Sequence, residues 1–413
     1  MGQRHARRAD LVSGAYSQFS SLVRRVQFTR FTRHRPSHRQ PAYVSKSRLE
    51  YPSPCVIVAA SQSVLTMSSK DSTALEKLHS KRAEWASLGY KEKAALLEGM
   101  RTRFRAIDLQ KWSDEAVKAQ GYDTSSYVGE VTSATEGIAN AGSISGRLNG
   151  LIRTYKHLAE HGVPPQPKSA ARADGRLVSQ VFPFDADDKK GQTGGAGVTA
   201  EIWSTTGNGE LQGLPATQPG LCLVLGAGNQ SFLSLCDALY WLFVEGMVVI
   251  LKHHPIRGFN RPIFDSICEE LIERGYFTST VDLGVAHASW LTSHELVDQV
   301  HMTGGVRTHD LIVWGTSPAE QAANKAAGTP VLTKPMSSEL GCITPWAICP
   351  GGGEWSTAEI EHHAGALALP FISQSSCNCC SPKLVLLDRD WPHAKQARRM
   401  HAAYIPHALR VWR

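Results

Sequence analysis

The chain has 413 residues, of which 42% are hydrophobic and 20% are charged, and its formal net charge is +7. Its apolar runs are shorter than the ~18 residues that a membrane-spanning helix needs, so the composition predicts a globular chain of two or three domains with no membrane partner. The nine cysteines mostly occur singly in apolar segments. This usage favours free thiols in a reducing compartment over a disulfide framework.

The positive charge is concentrated at the start of the chain. Residues 1–66 contain eleven Arg and Lys residues and two acidic residues, a net charge of +9, which leaves −2 for the remainder. We therefore expect no nucleic-acid partner. The leader over 1–67 is rich in Arg and Ser, which is typical of a transit peptide for a mitochondrion or plastid. The alternatives are a disordered tail and translation from Met67, which would leave the protein cytoplasmic.

Helical periodicity predicts that the region 68–198 is mainly helical. Ser72 is a plausible N-cap for its first helix. The predicted helices cover residues 73–88, 91–107, 109–119 and 132–161. After them, strand-like runs at 199–203 and 210–214 flank a Gly207-Asn208-Gly209 turn and predict a β-hairpin arm over 199–218.

Beyond the hairpin, apolar strands alternate with amphipathic helices. The predicted strands cover 220–225, 247–252, 299–302 and 384–387, and the predicted helices cover 232–245, 259–274 and 358–367. This alternation predicts an α/β domain whose parallel sheet is covered on both faces.

Three strand ends carry residues suited to ligand binding. Asn229 lies in a Gly-Ala-Gly-Asn loop after one strand, Lys252 ends the next strand, and Thr303-Gly304-Gly305 follows a third. Ligands of such sheets bind at the carboxyl ends of strands. Each feature alone is typical of a loop or of a solvated lysine. Their common position indicates one ligand site.

Three cysteines, Cys377, Cys379 and Cys380, lie between a predicted helix and a predicted strand. Such a junction can aim a thiol into a cleft. Alternatively, these cysteines are small buried residues, or they bind a metal together with His362 and His363. The Cys-x-Cys-Cys spacing does not match a structural zinc site, so we predict no metal.

Together these residues resemble the aldehyde dehydrogenase superfamily across 68–390. In that family an asparagine precedes a strand-terminal lysine by 23 residues, which is the separation of Asn229 and Lys252 here. A Thr-Gly-Ser-like turn, matched by Thr303-Gly304-Gly305, and a Glu-Leu-Gly signature, matched by Glu339-Leu340-Gly341, follow in the family's order. The nucleophilic cysteine comes a few tens of residues later, as the cysteine cluster does here.

The resemblance implies an aldehyde dehydrogenase-like α/β fold. A Rossmann-type cofactor domain would comprise the helical part 68–198 and the parallel sheet of 219–338. An incomplete α/β catalytic domain would cover 339–413, and the hairpin over 199–218 would be an oligomerisation arm. A homo-oligomer is typical of the family.

The resemblance also implies that an aldehyde is oxidised to a carboxylic acid. Cys379 is the expected nucleophile because Ser381-Pro382-Lys383 fits the family's frame, but a register two residues earlier would select Cys377. Asn229 would donate to the thiohemiacetal oxyanion. Glu339 would activate the water that releases the acid.

The implied cofactor is NAD or NADP. Lys252 would contact the adenine-side ribose, and Gly304 and Gly305 would lie against the cofactor. Many NAD-preferring members carry a glutamate three residues after the lysine, where this chain has Pro255. The 2′-phosphate of NADP would therefore meet no repulsion there.

Two other functions stay open. The chain could be a catalytically incomplete, nucleotide-binding remnant of the family, because family members continue well past its last residue. It could also be an acyl-CoA or acyl-phosphate reductase, which passes the acyl group to a thiol or phosphate. Glu339 favours hydrolysis, and no motif names the aldehyde.

Overall fold

The computed structural model describes residues 54–186, 188, 198–205, 211–281, 283–349, 355–388, 390–391 and 394–395. Most of the predicted leader, the predicted hairpin turn and the last eighteen residues lie outside this described part. The chain divides into two units. One contains residues 1–69 and 166–211, and the other contains 70–165 and 212–413.

In the first unit, three antiparallel strands form a sheet in the order β1-β2-β3. They are β1 (Lys168–Ala171), β2 (Leu177–Phe182) and β3 (Ala200–Ser204). Trp203 lies opposite Val178 in the register. The guanidinium groups of Arg172 and Arg176 lie 4.5 and 4.9 Å from its indole ring, so cation–π contacts support this face of the sheet.

The predicted hairpin over 199–214 is wrong in its second strand. Residues 211–214 form no strand, and β3 pairs with the preceding strand β2 instead. The second predicted strand contains a glycine and runs into Pro215, which cannot donate a ladder hydrogen bond, whereas β2 is rich in β-formers. The three-stranded antiparallel sheet thus lies within residues 166–211 of the first unit.

Four helices precede the parallel sheet in sequence. They are α1 (Pro54–Ser87), α2 (Tyr90–Arg105), α3 (Leu109–Ala119) and α4 (Tyr127–His161). The prediction for α3 is confirmed. The helix begins after Asp108, whose side chain accepts the backbone N–H of Lys111 at 3.0 Å. Helix α4 begins five residues earlier than predicted, because Ser126 caps it by accepting the N–H of Gly129 at 3.0 Å.

The predicted N-cap at Ser72 is wrong, because Ser72 lies inside α1. That helix already begins at Pro54. Residues 55–71 contain neither glycine nor proline, so nothing in them ends a helix.

The second unit is built on a five-stranded, wholly parallel sheet in the order β6-β5-β4-β7-β8. The strands are β4 (Leu221–Leu225), β5 (Val248–Lys252), β6 (Phe277–Thr280), β7 (Gln299–Thr303) and β8 (Met336–Glu339). Every residue of β4 and β5 is buried, as expected for strands covered on both faces. In chain order the sheet reads 3-2-1-4-5, so the predicted Rossmann-type α/β class is confirmed.

Helices connect these strands. They are α5 (Leu233–Phe243), α6 (Arg261–Ile267), α7 (Glu269–Arg274), α8 (Val285–Ser293), α9 (Val306–Val313) and α10 (Pro318–Ala327), with a 3₁₀ helix (Pro255–Asn260) before α6. The predicted single helix over 259–274 is therefore interrupted, and Cys268 separates α6 from α7.

A second, two-stranded parallel sheet follows. It consists of β9 (Pro345–Ile348) and β10 (Leu384–Leu387), which are linked by α11 (Thr357–Ile372) and a 3₁₀ helix (Ser373–Ser376). Strand β10 coincides with the predicted strand. Cys377, Cys379 and Cys380 lie in the turn that precedes β10.

Trp85 fastens the helical layer to the parallel sheet. Its indole N–H donates to the carbonyl of Leu242 at 3.0 Å, and its ring packs against Phe243 and Tyr276 at centroid distances of 5.2 and 4.9 Å. The Tyr155 hydroxyl donates to the Phe243 carbonyl at 2.6 Å. The end of α5 is thereby capped by side chains from α1 and α4.

We predict that Trp85→Ala lowers the free energy of unfolding by about 3–5 kcal/mol, because it empties a fully buried aromatic site. Denaturant unfolding followed by circular dichroism measures this change. Val285→Ala is the control, since Val285 is 85% exposed and should change stability by less than ~0.5 kcal/mol. Equal losses in both variants would contradict the prediction.

Candidate functional site

The carboxyl ends of four strands meet at one edge of the parallel sheet. Leu225 of β4 lies opposite Lys252 of β5 and Met302 of β7, and Thr303 lies opposite Glu339 of β8. The loops after these strands therefore start side by side. The predicted site residues at this edge are Asn229, Lys252, Gly304, Gly305 and Glu339.

The loop after β4 depends on two glycines for its close packing. The N–H of Gly226 donates to the carbonyl of Lys252 at 2.8 Å, and a Cβ on Gly226 would lie 2.7 Å from the Ser234 hydroxyl oxygen. A Cβ on Gly228 would lie 2.8 Å from the His254 ring. A larger residue at Gly226 would also press on the Lys252 carbonyl of β5, 3.1 Å from the added Cβ, whereas one at Gly228 would have to move the His254 ring.

Asn229 connects this loop to the cysteine segment. Its side-chain amide donates to the backbone carbonyl of Cys377 at 3.0 Å. Next to it, the amide nitrogen of Gln230 lies 3.5 Å from the side-chain oxygen of Gln374. The structure therefore brings Asn229 together with the cysteines, and the residue that it contacts is Cys377 rather than Cys379.

A buried ion pair lies behind the same loop. The guanidinium of Arg257 donates to the carbonyls of Gly228 and Asn229 at 3.0 and 2.9 Å and to the Ser231 hydroxyl at 2.9 Å. One carboxylate oxygen of Glu136 lies 3.6 Å from this guanidinium. Burial lowers the pKa of Arg257, whereas Glu136 and then Cys377 oppose that shift.

Sequence reasoning missed this pair. Arg257 belongs to no motif, and Glu136 precedes it by 121 residues. The one available indication was helical spacing, because Thr132, Glu136 and Asn140 recur every four residues on the buried face of α4. Polar residues on a buried helix face are seldom there for packing alone.

Cys379 lies in a thiol-rich turn. Its carbonyl accepts from the thiol of Cys342 at 3.0 Å and from the Thr344 hydroxyl, and its sulfur is 3.9 Å from that of Cys380. Cys379 is an exposed residue, but partial burial of its thiol raises its pKa, and the neighbouring thiols Cys380 and Cys342 raise it further. A nucleophilic cysteine needs the thiolate, so this environment opposes activation of Cys379.

Backbone strain is concentrated around the cysteines. Within the described ranges, the non-glycine residues with left-handed φ are Thr344, Gln374 and Ser376, at 49°, 46° and 64°. Such conformations cost on the order of 1–3 kcal/mol each and persist where the surroundings impose them. Two of them lead into Cys377, and the third contacts Cys379.

Lys252 and Glu339 end their strands in different environments. Lys252 is 7% exposed, whereas Glu339 is exposed. The N–H of Gly304 donates to the Glu339 carbonyl at 2.9 Å, which joins the loop after β7 to β8. Within the described part of the chain, no hydrogen bond or ion pair links the Glu339 carboxylate to the cysteine segment.

Two further properties concern partners. Across the residues that the structure describes, no group of three or more His, Cys, Asp or Glu side chains is arranged to hold a metal ion. In the same residues, no helix combines the length and apolarity needed to cross a membrane.

Comparison with known proteins gave structural matches alone. No protein-family model matches the chain, and no curated protein matches it in sequence. A lactaldehyde dehydrogenase is 14% identical with a TM-score of 0.49, and the alignment covers 82% of this chain and 55% of that one. Succinic semialdehyde dehydrogenase from Streptococcus pyogenes, solved with NADP+, is 14% identical with a TM-score of 0.48 over 81% and 58%.

A third match is a mutant aldehyde dehydrogenase C from Pseudomonas syringae, solved with NAD+ and octanal. It is 12% identical with a TM-score of 0.46, over 80% of this chain and 53% of that one. The chain thus spans about half the length of the structures that it matches. All three TM-scores lie below 0.5, so the fold class rests on the chain's own strand order and connections.

We predict that Cys380→Ala lowers the pKa of Cys379, because it removes the largest of the neighbouring-thiol effects while burial remains. At pH 8 a larger thiolate fraction would then speed alkylation of Cys379 by iodoacetamide, which peptide mass spectrometry measures. Cys349→Ala is the control, since Cys349 is another exposed free thiol outside this turn. An unchanged rate in Cys380→Ala would contradict the assignment.

We also predict that His253 makes the folded protein less stable in acid. Burial, then Arg261 and Lys252, lowers the pKa of His253 from 6.5 to about 4, and among the described residues neither ring nitrogen has a hydrogen-bond partner. Below pH 6.5 His253 binds a proton in the unfolded chain but not in the folded chain. The free energy of unfolding therefore falls as the pH drops towards 4, by about 3 kcal/mol. Denaturant unfolding at several pH values measures this slope. His253→Phe should flatten it, and an identical slope in that variant would contradict the prediction.

Proposed function

We propose that this chain carries the cofactor-binding part and the nucleophile of an NAD- or NADP-dependent aldehyde dehydrogenase. The observation that supports this most directly is the hydrogen bond from the Asn229 amide to the Cys377 carbonyl at 3.0 Å. It joins the candidate oxyanion donor to the candidate nucleophile segment across 148 residues of sequence. The substrate would be an aldehyde, and the product a carboxylic acid.

In this proposal the Cys379 thiol first gives its proton to solvent water, and its sulfur then attacks the aldehyde carbonyl carbon. The carbonyl electron pair moves to oxygen and gives a thiohemiacetal oxyanion. The Asn229 amide would turn from the Cys377 carbonyl to this oxyanion, and such a donor is typically worth about 3 kcal/mol of barrier. The oxyanion would collapse to a thioester as its carbon gives up a hydride to the bound cofactor. Glu339 would then take the proton of the water that attacks this thioester, and the C–S bond breaks to release the acid and the Cys379 thiolate.

The residues at the sheet edge fit a dinucleotide. Gly226 and Gly228 keep the loop after β4 packed against Ser234 and His254, at the strand ends where ligands of such sheets bind. Lys252 offers a cation at the end of β5, and Gly305 directly precedes α9. When bound, the nicotinamide supplies the acceptor for the substrate's hydride. Because Pro255 takes the place of a carboxylate, we infer that both NAD and NADP are accepted.

A specific observation favours a second candidate, acyl transfer to CoA or phosphate. The Glu339 carboxylate is exposed and, within the described residues, has no hydrogen bond or ion pair with the cysteine segment. A thioester on Cys379 would then meet no positioned water base and could pass to another thiol or to phosphate.

We predict that Cys379→Ala abolishes reduction of NAD or NADP with a panel of aliphatic and aromatic aldehydes. The reason is that no covalent intermediate forms without the thiol. Formation of reduced nicotinamide, followed by absorbance with the full chain, measures this activity. Cys377→Ala is the matched control and should retain turnover.

The other outcomes separate the alternatives. Loss of turnover in Cys377→Ala alone would move the nucleophile two residues earlier. Acyl-CoA formation when CoA is added, unaffected by Glu339→Gln, would favour the reductase. Absence of turnover in the wild type would favour the remnant hypothesis.

A further inference from the structure

The guanidinium of Arg257 binds the backbone on both sides of Asn229. Its Nε donates to the carbonyl of Gly228 at 3.0 Å, and one Nη donates to the carbonyl of Asn229 itself at 2.9 Å. A guanidinium is planar and rigid, so two carbonyls bound by one such group have a fixed relative orientation. The direction in which the Asn229 side chain leaves the backbone is therefore set by Arg257.

The remaining donors and charges hold Arg257 in turn. Its second Nη donates to the Ser231 hydroxyl at 2.9 Å, and that hydroxyl donates to Glu136 at 2.9 Å. The other Glu136 oxygen is 3.6 Å from the guanidinium. Asn260 donates to the Ser231 carbonyl at 2.9 Å. Every carbonyl from 228 to 231 except that of Gln230 thus accepts a hydrogen bond from one of two side chains, those of Arg257 and Asn260.

A buried ion pair is a poor device for stability alone, because its desolvation offsets most of its attraction. Both partners are at most 2% exposed. The donors of Arg257 are all directed to a single loop, two of them to its backbone, and that loop carries the Asn229 amide that contacts Cys377. Such a pair is better suited to fixing one conformation than to adding stability.

We propose that Arg257, held in place by Glu136, is a positioning residue that aims the Asn229 amide at the reacting centre. The proposal rests on the proposed function, in which Asn229 is the oxyanion donor. Arg257 itself does not touch the substrate. Its effect on turnover passes through Asn229.

The test is a double-mutant cycle on turnover by the full chain, with Arg257→Lys, Asn229→Ala and the double variant. Asn229→Ala should lower kcat by about 10²- to 10³-fold. Arg257→Lys keeps the charge but loses the planar fork, and it should lower kcat by about 10- to 100-fold with little change in KM. The double variant should be no slower than Asn229→Ala, because the two residues act in series.

Arg261→Lys alters a half-buried arginine that is paired with Asp265, and it should keep wild-type turnover. Losses that multiply in the double variant, or an Arg257→Lys variant as fast as the wild type, would overturn the proposal. If Arg257→Lys fails to give the wild-type circular dichroism spectrum, Glu136→Gln replaces it in the cycle under the same criteria.

A second readout needs no turnover. Loss of the Asn229 hydrogen bond should free the Cys377 segment and raise its iodoacetamide labelling rate about fivefold, the size expected for one lost hydrogen bond. Arg257→Lys should raise that rate similarly, with no further rise in the double variant. Wild-type protein without turnover but with this labelling pattern would reject the proposed function and keep the positioning role. Additive labelling would reject the positioning role.

Discussion

The parallel register of β4 with its two neighbours is the constraint on which the rest of the structure depends. It places Leu225 level with Lys252 on one side and with Met302 on the other. A slip of one residue would turn every side chain of a strand to the opposite face. Because β4 and β5 are buried throughout, both faces of the sheet must be covered by helices, and only the strand ends remain for chemistry. The site is at this edge for that reason.

The register sets where the loop after β4 begins, and the buried Arg257–Glu136 ion pair then fixes the conformation of that loop. Removing one member of a buried ion pair typically costs about 3–5 kcal/mol, although the intact pair adds little net stability. Arg257 and Glu136 come from the 3₁₀ helix and from α4, so the loop conformation depends on helices far apart in sequence. Gln374 and Ser376, whose φ angles are strained, belong to the segment on the other side of the contact between Asn229 and Cys377. The site thus faces a rigid loop on one side and a strained segment on the other.

The sequence predicted those parts of the fold that depend on local pattern. Strand β10 and helix α3 occur at their predicted bounds, because apolar composition and an Asp N-cap are local properties. The prediction of a second hairpin strand was wrong. β3 pairs with β2 rather than with residues 211–214, and which of two segments pairs with a strand does not follow from either segment's own sequence. The prediction of an N-cap at Ser72 was wrong because the residues before Ser72 are themselves helical, so the helix does not begin there.

The candidate site likewise has residues that could be predicted from the sequence and residues that could not. Residues at strand ends could be placed from order alone, because parallel strands bring their ends together. Arg257 and Glu136 could not, since neither the charge of a residue nor its neighbours in sequence reveal which distant backbone carbonyls it binds. The raised pKa of Cys379 was also beyond prediction, because its largest cause is burial in the fold and one of the thiols that add to it, Cys342, lies 37 residues earlier.

The cysteine segment is held by two different loops. The carbonyl of Cys377 is bound by Asn229 from the loop after β4, and that of Cys379 is bound by Cys342 from the loop after β8. A change in either loop would therefore reorient a different thiol. Burial is the largest cause of the raised pKa of Cys379, so removing neighbouring thiols can restore its reactivity only in part. Full activation requires a positive charge or hydrogen-bond donor to come close to that sulfur, because only these favour the thiolate against desolvation.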